Sequence, residues 1–177
     1  MSNISRLQIV AYVSARISAG SSDIVAATDV NSGRLYAGFG SKRAIFLRAL
    51  GHYDATYRTG YIGHLWRTHS PRGTILAAFD AAARGDPDLP GGCLMDNTAL
   101  ERAPHDPEIA TIVETCMAHV EAFFADCLSR CESPPADVTE TARVLQGLMV
   151  ALLVMTRANR DSPSVAAILA QVRHLTG

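Results

Sequence analysis

The sequence predicts an all-α protein in two parts. A three-helix domain occupies residues 1–50, and a long helix links it to a larger helical domain over residues 51–177. Three observations lead there. Apolar residues recur at spacings of three and four, the period of helices packed along one face. No segment alternates strictly, and β-branched residues do not gather into strand-like runs. Gly- and Pro-rich stretches, such as residues 85–92, mark the breaks between the periodic segments.

Taken in order, a first helix is expected over about residues 4–17. A second begins near Ser21 or Ser22, either of which can accept a hydrogen bond from an unpaired backbone N–H. Ile24, Val25 and Val30 supply its apolar side. Asp29 occupies a tight turn, where Asp and Asn tolerate the left-handed conformation better than other residues with a side chain. Asn31 and Ser32 start the next helix, with Leu35, Tyr36 and Phe39 apolar, and Gly40-Ser41 ends it. Two short helices joined in this way form a helix-turn-helix. The helix from about residue 42 to 66 carries Ile45 and Phe46 and is weakened at Gly51, Gly60 and Gly63, where a kink is expected.

Pro71 opens a helix over about residues 72–84, with Ile75, Leu76 and Phe79 on one face. After the loop, residues 93–101 form a short helix that Pro104 ends. Asp106-Pro107-Glu108 then supplies a cap, a first-turn Pro and an early acid for a helix to about residue 130. Pro134-Pro135 separates off two final helices, about 136–159 and 163–175. The first is apolar over more of its surface than one buried stripe needs, and Gly147 and Ala151 would let a neighbouring helix come close.

Composition narrows the function. The 177 residues are 48% hydrophobic and 19% charged, with a net charge of −1 and a pI near 6.6, a globular profile rather than that of a wholly basic nucleic-acid binder. The distribution is uneven. Residues 1–60 hold seven Arg/Lys against three Asp/Glu, a balance of +4, and residues 61–177 hold nine against fourteen, a balance of −5. The apolar run 144–155 is interrupted by Gln146 and is too short to span a bilayer. With no signal peptide evident, the four cysteines are expected as reduced thiols in a cytoplasmic protein without membrane partners.

The run Val30-Asn31-Ser32-Gly33-Arg34-Leu35-Tyr36, then Phe39 and Ser41-Lys42, resembles the DNA-binding signature of the TetR family of one-component repressors. The spacing of Gly33, Leu35-Tyr36, Phe39 and Lys42 matches without a gap. The resemblance implies that residues 32–39 enter the major groove, with Tyr36 and Lys42 on phosphates and Arg34 near base edges. It implies DNA-binding roles for Ser22, Ser32, Gly33, Arg34, Tyr36 and Lys42. The run GGCLMDNTALERAPHDPEI resembles the ligand-binding domain of one TetR subgroup.

Together the two resemblances imply a homodimeric repressor that binds double-stranded operator DNA and is released by a small-molecule inducer. The candidate inducer pocket comprises Trp66, Phe79, Cys93, Met95, Asn97, Met117 and Phe124. The candidate dimer seam comprises Leu145, Leu148, Met149, Leu152, Val165, Ile168, Leu169 and Val172. Three features depart from the family pattern. Asp29 stands where Gly is usual, Ala37 where a phosphate-contacting His is frequent, and the first helix lacks the usual aromatic pattern. They support a rival reading, an all-helical small-molecule-binding protein or enzyme that kept the fold without specific DNA binding.

No catalytic set emerges: dinucleotide and phosphate loops, the nucleophile elbow and the zinc-protease motif are all lacking. Cys116-x-x-His119 and Cys127/Cys131 fall at helical spacings but form no four-ligand set, so neither a metal nor any other cofactor is expected. Asp96 and Glu101 could pair as acid and base but are equally explained as a polar helix rim, and His64 and His69 could line a pocket near Trp66 but read better as an exposed helix end. Cys93 carries two open readings. At a helix N-terminus, backbone N–H groups favour a reactive thiolate, and the resemblance extends to relatives that respond to electrophiles or oxidants. Alternatively it is an inert thiol under Leu94 and Met95, its ionisation opposed by Asp86, Asp88 and Asp96.

Overall fold

The computed structural model describes residues 37–85 and 93–177. Every regular element among them is helical, as the period of three and four requires. Residues 37–39 are helical, and Gly40 turns the chain with φ of 82°, a conformation that a side chain would strain. Ser41 Oγ accepts the Ala44 N–H at 3.1 Å, and α1 (Lys42–Thr56) begins there. α1 runs through a widened π-helical turn (Tyr57–Ile62) into α2 (Gly63–Thr68). The expected kink is thus a change of helical winding at Gly60 and Gly63, with the chain still helical throughout.

Three later helices share one kind of start, a polar cap followed directly by Pro. Ser70 accepts the Gly73 N–H at the head of α3 (Pro71–Arg84). Asp106 accepts the Glu108 and Ile109 N–H groups at the head of α5 (Pro107–Ser129). Ser162 accepts the Ser164 N–H at the head of α7 (Pro163–Leu175). In each, the missing Pro N–H costs nothing because first-turn donors have no helical partner. Between α3 and α5 lies the short α4 (Leu94–Glu101), and Asp137 caps α6 (Val138–Ala158).

Among the described residues the core has two parts. The larger joins α2, α3, α5, α6 and α7 around Phe79, Phe124, Leu128, Leu145, Leu152 and Val172, all essentially without solvent exposure. The smaller lies where α1, α4 and α5 meet, around Leu50, Leu94, Met95, Ile109, Val113 and Cys116. α5 contributes to both and is the spine of the molecule. α6 is long and apolar enough to cross a membrane by length and composition alone. In this fold Ala142, Leu145, Met149 and Leu152 instead pack it into the bundle, and Gln146 Nε2 donates to the Met117 carbonyl of α5 at 3.1 Å.

Candidate functional site

Of the residues expected on DNA, Ser22, Ser32, Gly33, Arg34 and Tyr36 lie outside the described residues, as do the turn at Asp29 and the helix over 4–17. Lys42 is described: it is the first residue of α1 and is exposed. Ala37 and Gly38 are exposed as well, while the Arg48 guanidinium lies 5.5 Å from the centre of the Phe39 ring. Beside Lys42, Arg43 reaches α5. Its Nε and Nη2 donate to the two oxygens of Asp106 at 3.0 and 2.9 Å, and Nη2 also lies 2.7 Å from Glu108 Oε2. Desolvation opposes ionisation of Asp106, but Arg43 and the Ile109 and Glu108 amides together hold its carboxyl below the ordinary value. No sequence signal pointed to this tie, because its partners are 63 residues apart.

Deeper along α1, the titratable groups of Tyr53, Cys93, Asp96 and Cys116 gather at the small core. Tyr53 donates its hydroxyl to Cys93 Sγ at 3.7 Å. Asp96 has one carboxylate oxygen, Oδ2, that is buried and makes no hydrogen bond. Burial pushes its carboxyl up to about 6, against the stabilising influence of the Cys93 thiol. Burial, then the Asp96 charge, pushes Cys93 itself up to about 11. The Asp96 and Met95 amides act in the opposite direction, as a helix N-terminus should, but they are outweighed. Of the two readings of Cys93, the raised pKa favours the protonated thiol under Leu94 and Met95. Cys116 and Cys127 are pushed up to about 12, each chiefly by burial, and Cys116 also by Asp54. Asp54 Oδ1 lies 3.3 Å from His119 Nδ1, so Cys116 packs in the small core while His119 makes a polar contact with α1. No group of three or more potential metal ligands occurs among the described residues.

The seven residues expected around one pocket fall into separate places. Trp66, Phe79 and Phe124 belong to the large core. There Trp66 stacks edge-on to Phe123 at 6.3 Å, Phe123 meets Phe124 at 5.2 Å, and Phe124 meets Phe79 at 5.7 Å. These contacts form a continuous run of rings within the large core. Cys93, Met95 and Met117 belong to the small core. Asn97, on α4, accepts from Arg157 Nη1 of α6 at 2.6 Å.

The final helices distribute the expected seam residues between the core and the surface. Leu145, Met149, Leu152, Val165, Ile168 and Val172 are buried inside the single chain, so they form its core rather than a seam with a partner. Leu148 and Leu169 are half-buried. The open face of α6 is a different stripe: Val144, Leu148, Ala151 and Met155 at spacings of four, three and four, with Val154 alongside. Val144, Val154 and Met155 keep 44%, 49% and 39% of their surface exposed, high for large apolar side chains. A side chain added at Gly147 would also meet open space.

No protein-family model matches the chain. Among curated proteins, an uncharacterized HTH-type transcriptional regulator of Bacillus subtilis, YezE, is 27% identical over 135 residues, covering 72% of this chain and 70% of its own. Solved structures match over almost the whole length. The TetR family regulator CifR, in a cysteine-substituted form complexed with 26-bp double-strand operator DNA, superposes with a TM-score of 0.76 and 21% identity over 99% of this chain and 95% of its own. The reduced form of E. coli NemR gives 0.82 at 19% identity, covering 97% and 96%. A TetR family regulator of Cytophaga hutchinsonii gives 0.82 at 16%, covering 99% and 96%. Across the described residues, the chain has the fold of the TetR-family transcriptional regulators.

Proposed function

We propose that the chain is a TetR-type transcriptional repressor that binds operator DNA as a homodimer and is released by a small-molecule inducer. The observation that carries the reading is the full-length likeness to a regulator solved on its operator. The gap-free signature from Val30 to Lys42 and the basic balance of residues 1–60 lend it support. The domain boundary belongs near residue 50, where α1 leaves the DNA-reading end and enters the small core. An inducer acting on the helices of residues 72–130 would shift α4 and α5 against Leu50 and Tyr53. That would re-aim α1 and change the separation of the two recognition helices. Inducer and DNA affinities would then be coupled reciprocally. The dimer would form through the open stripe of α6.

A salt-titrated binding assay with the DNA flanking the chain's own coding sequence tests the reading. A specific complex that weakens steadily with salt supports it. Equal affinity for unrelated DNA of the same length overturns it. That second outcome would favour a ligand-binding protein with the fold alone, the reading to which Asp29 and Ala37 lean.

A further inference from the structure

The first turn of α1 is gripped by the cap of α5. Arg43 holds Asp106 through two parallel bonds, and Asp106 Oδ1 at the same time accepts the Glu108 and Ile109 amides at 3.1 and 3.3 Å. Glu108 adds a second carboxylate on Arg43 Nη2. Arg43 lies four residues beyond Phe39, at most about 14 Å of extended chain from the segment that resembles a recognition helix.

We propose that Arg43 is a positioning residue for DNA binding: by clamping α1 to the Asp106 cap of α5, it fixes the direction in which the helix-turn-helix leaves the core. The proposal rests on the DNA-binding reading above. A single exposed ion pair would achieve little, since solvent screens it and both side chains must be ordered. Here the planar fork restricts orientation as well as distance. Its acceptor is itself held by two backbone amides, so the clamp joins helix to helix rather than one mobile side chain to another.

Charge alone and the clamp predict opposite signs. Asp106 and Glu108 are anions near the DNA-facing end, so if only their charge matters, neutralising Asp106 tightens DNA binding. If the clamp matters, neutralising Asp106 loosens it. Asp106→Asn retains a side-chain oxygen able to cap α5, so the fold is kept.

The expected result is about fivefold weaker binding to a double-stranded fragment flanking the chain's own coding sequence. Amide hydrogen exchange at residues 44–50, measured without DNA, should rise about fivefold. Arg43→Ala should raise the same exchange, and Arg43→Lys, which lacks the fork, should not restore it. Equal or tighter DNA binding by Asp106→Asn, or unchanged exchange over residues 44–50, overturns the proposal. If the parent chain binds none of this DNA, the DNA-binding reading fails and the positioning role with it, while the exchange arm still reports whether the clamp holds.

Discussion

Asp96 stands in the small core with a carboxylate oxygen that nothing bonds. Its carboxyl sits at about 6 in the folded chain against 3.8 for a free side chain, so folding favours the protonated form. The stabilising contribution is therefore complete below about pH 4 and is lost as pH rises through about 6. Replacing the acid with the isosteric amide removes that loss. Asp96→Asn should match the parent near pH 4 and exceed its stability by about 2 kcal/mol at pH 7 and above, read from denaturant midpoints across that range. A difference independent of pH would show that Asp96 is not held as an acid. The cysteines offer a second reading of local chemistry. With Cys93 at about 11 and buried Cys116 and Cys127 at about 12, none presents a thiolate at neutral pH. Cys131, half-buried beyond the end of α5, should be alkylated first in a limited reaction followed by mass mapping. Modification of Cys93 ahead of Cys131 would favour the reactive reading of Cys93 at the head of α4.

The two outermost helices separate what local pattern reveals from what packing decides. On α6, Leu148 lies on the open stripe and Leu152 faces the core, although they are a single turn apart. Leu148→Glu should give a folded monomer by light scattering, because Leu148 is half-buried and its charge can reach water until a partner covers the stripe. Leu152→Glu should abolish the folded state, since it buries an unpaired carboxylate at a cost of several kcal/mol. A dimer that survives Leu148→Glu would move the interface off α6. Helix starts were legible because Ser70-Pro71, Asp106-Pro107 and Ser162-Pro163 each solve a local problem, the unpaired first-turn donors. The inward side of α6 was not, because Val144 and Leu145 are equally apolar and only the packing of α3, α5 and α7 distinguishes them. The same limit applied to the site. The amides beside Cys93 and the opposing charge of Asp96 could be anticipated from the helix start, but the extent of burial and the approach of Tyr53 are tertiary. The Arg43–Asp106 tie joins residues too distant in sequence for any periodicity to connect.

Charge is divided along the whole molecule, with a balance of +4 over residues 1–60 and −5 over residues 61–177. A nearly neutral protein can still approach DNA if its cations are collected at one end, because exposed charges beyond about 10 Å are largely screened at ordinary salt. In the proposed DNA-binding role, the acidic remainder would discourage other surfaces from lying on DNA and bias the encounter towards the N-terminal end. Lys42 is the described member of the expected phosphate-contacting pair, exposed at the start of α1. Each phosphate neutralised releases roughly 0.9 of a condensed counterion, and this sets the slope of log affinity against log salt. Lys42→Ala should therefore weaken specific and unrelated DNA by about the same factor and flatten that slope by roughly one ion per protomer. The positioning role of Arg43 makes a contrasting demand. Asp106→Asn removes no cation, so it should lower affinity and leave the slope nearly unchanged. Measuring both variants over one salt series distinguishes a residue that touches the phosphates from one that aims the residues that do. A flattened slope in Asp106→Asn, or an unchanged slope in Lys42→Ala, would reverse the two assignments.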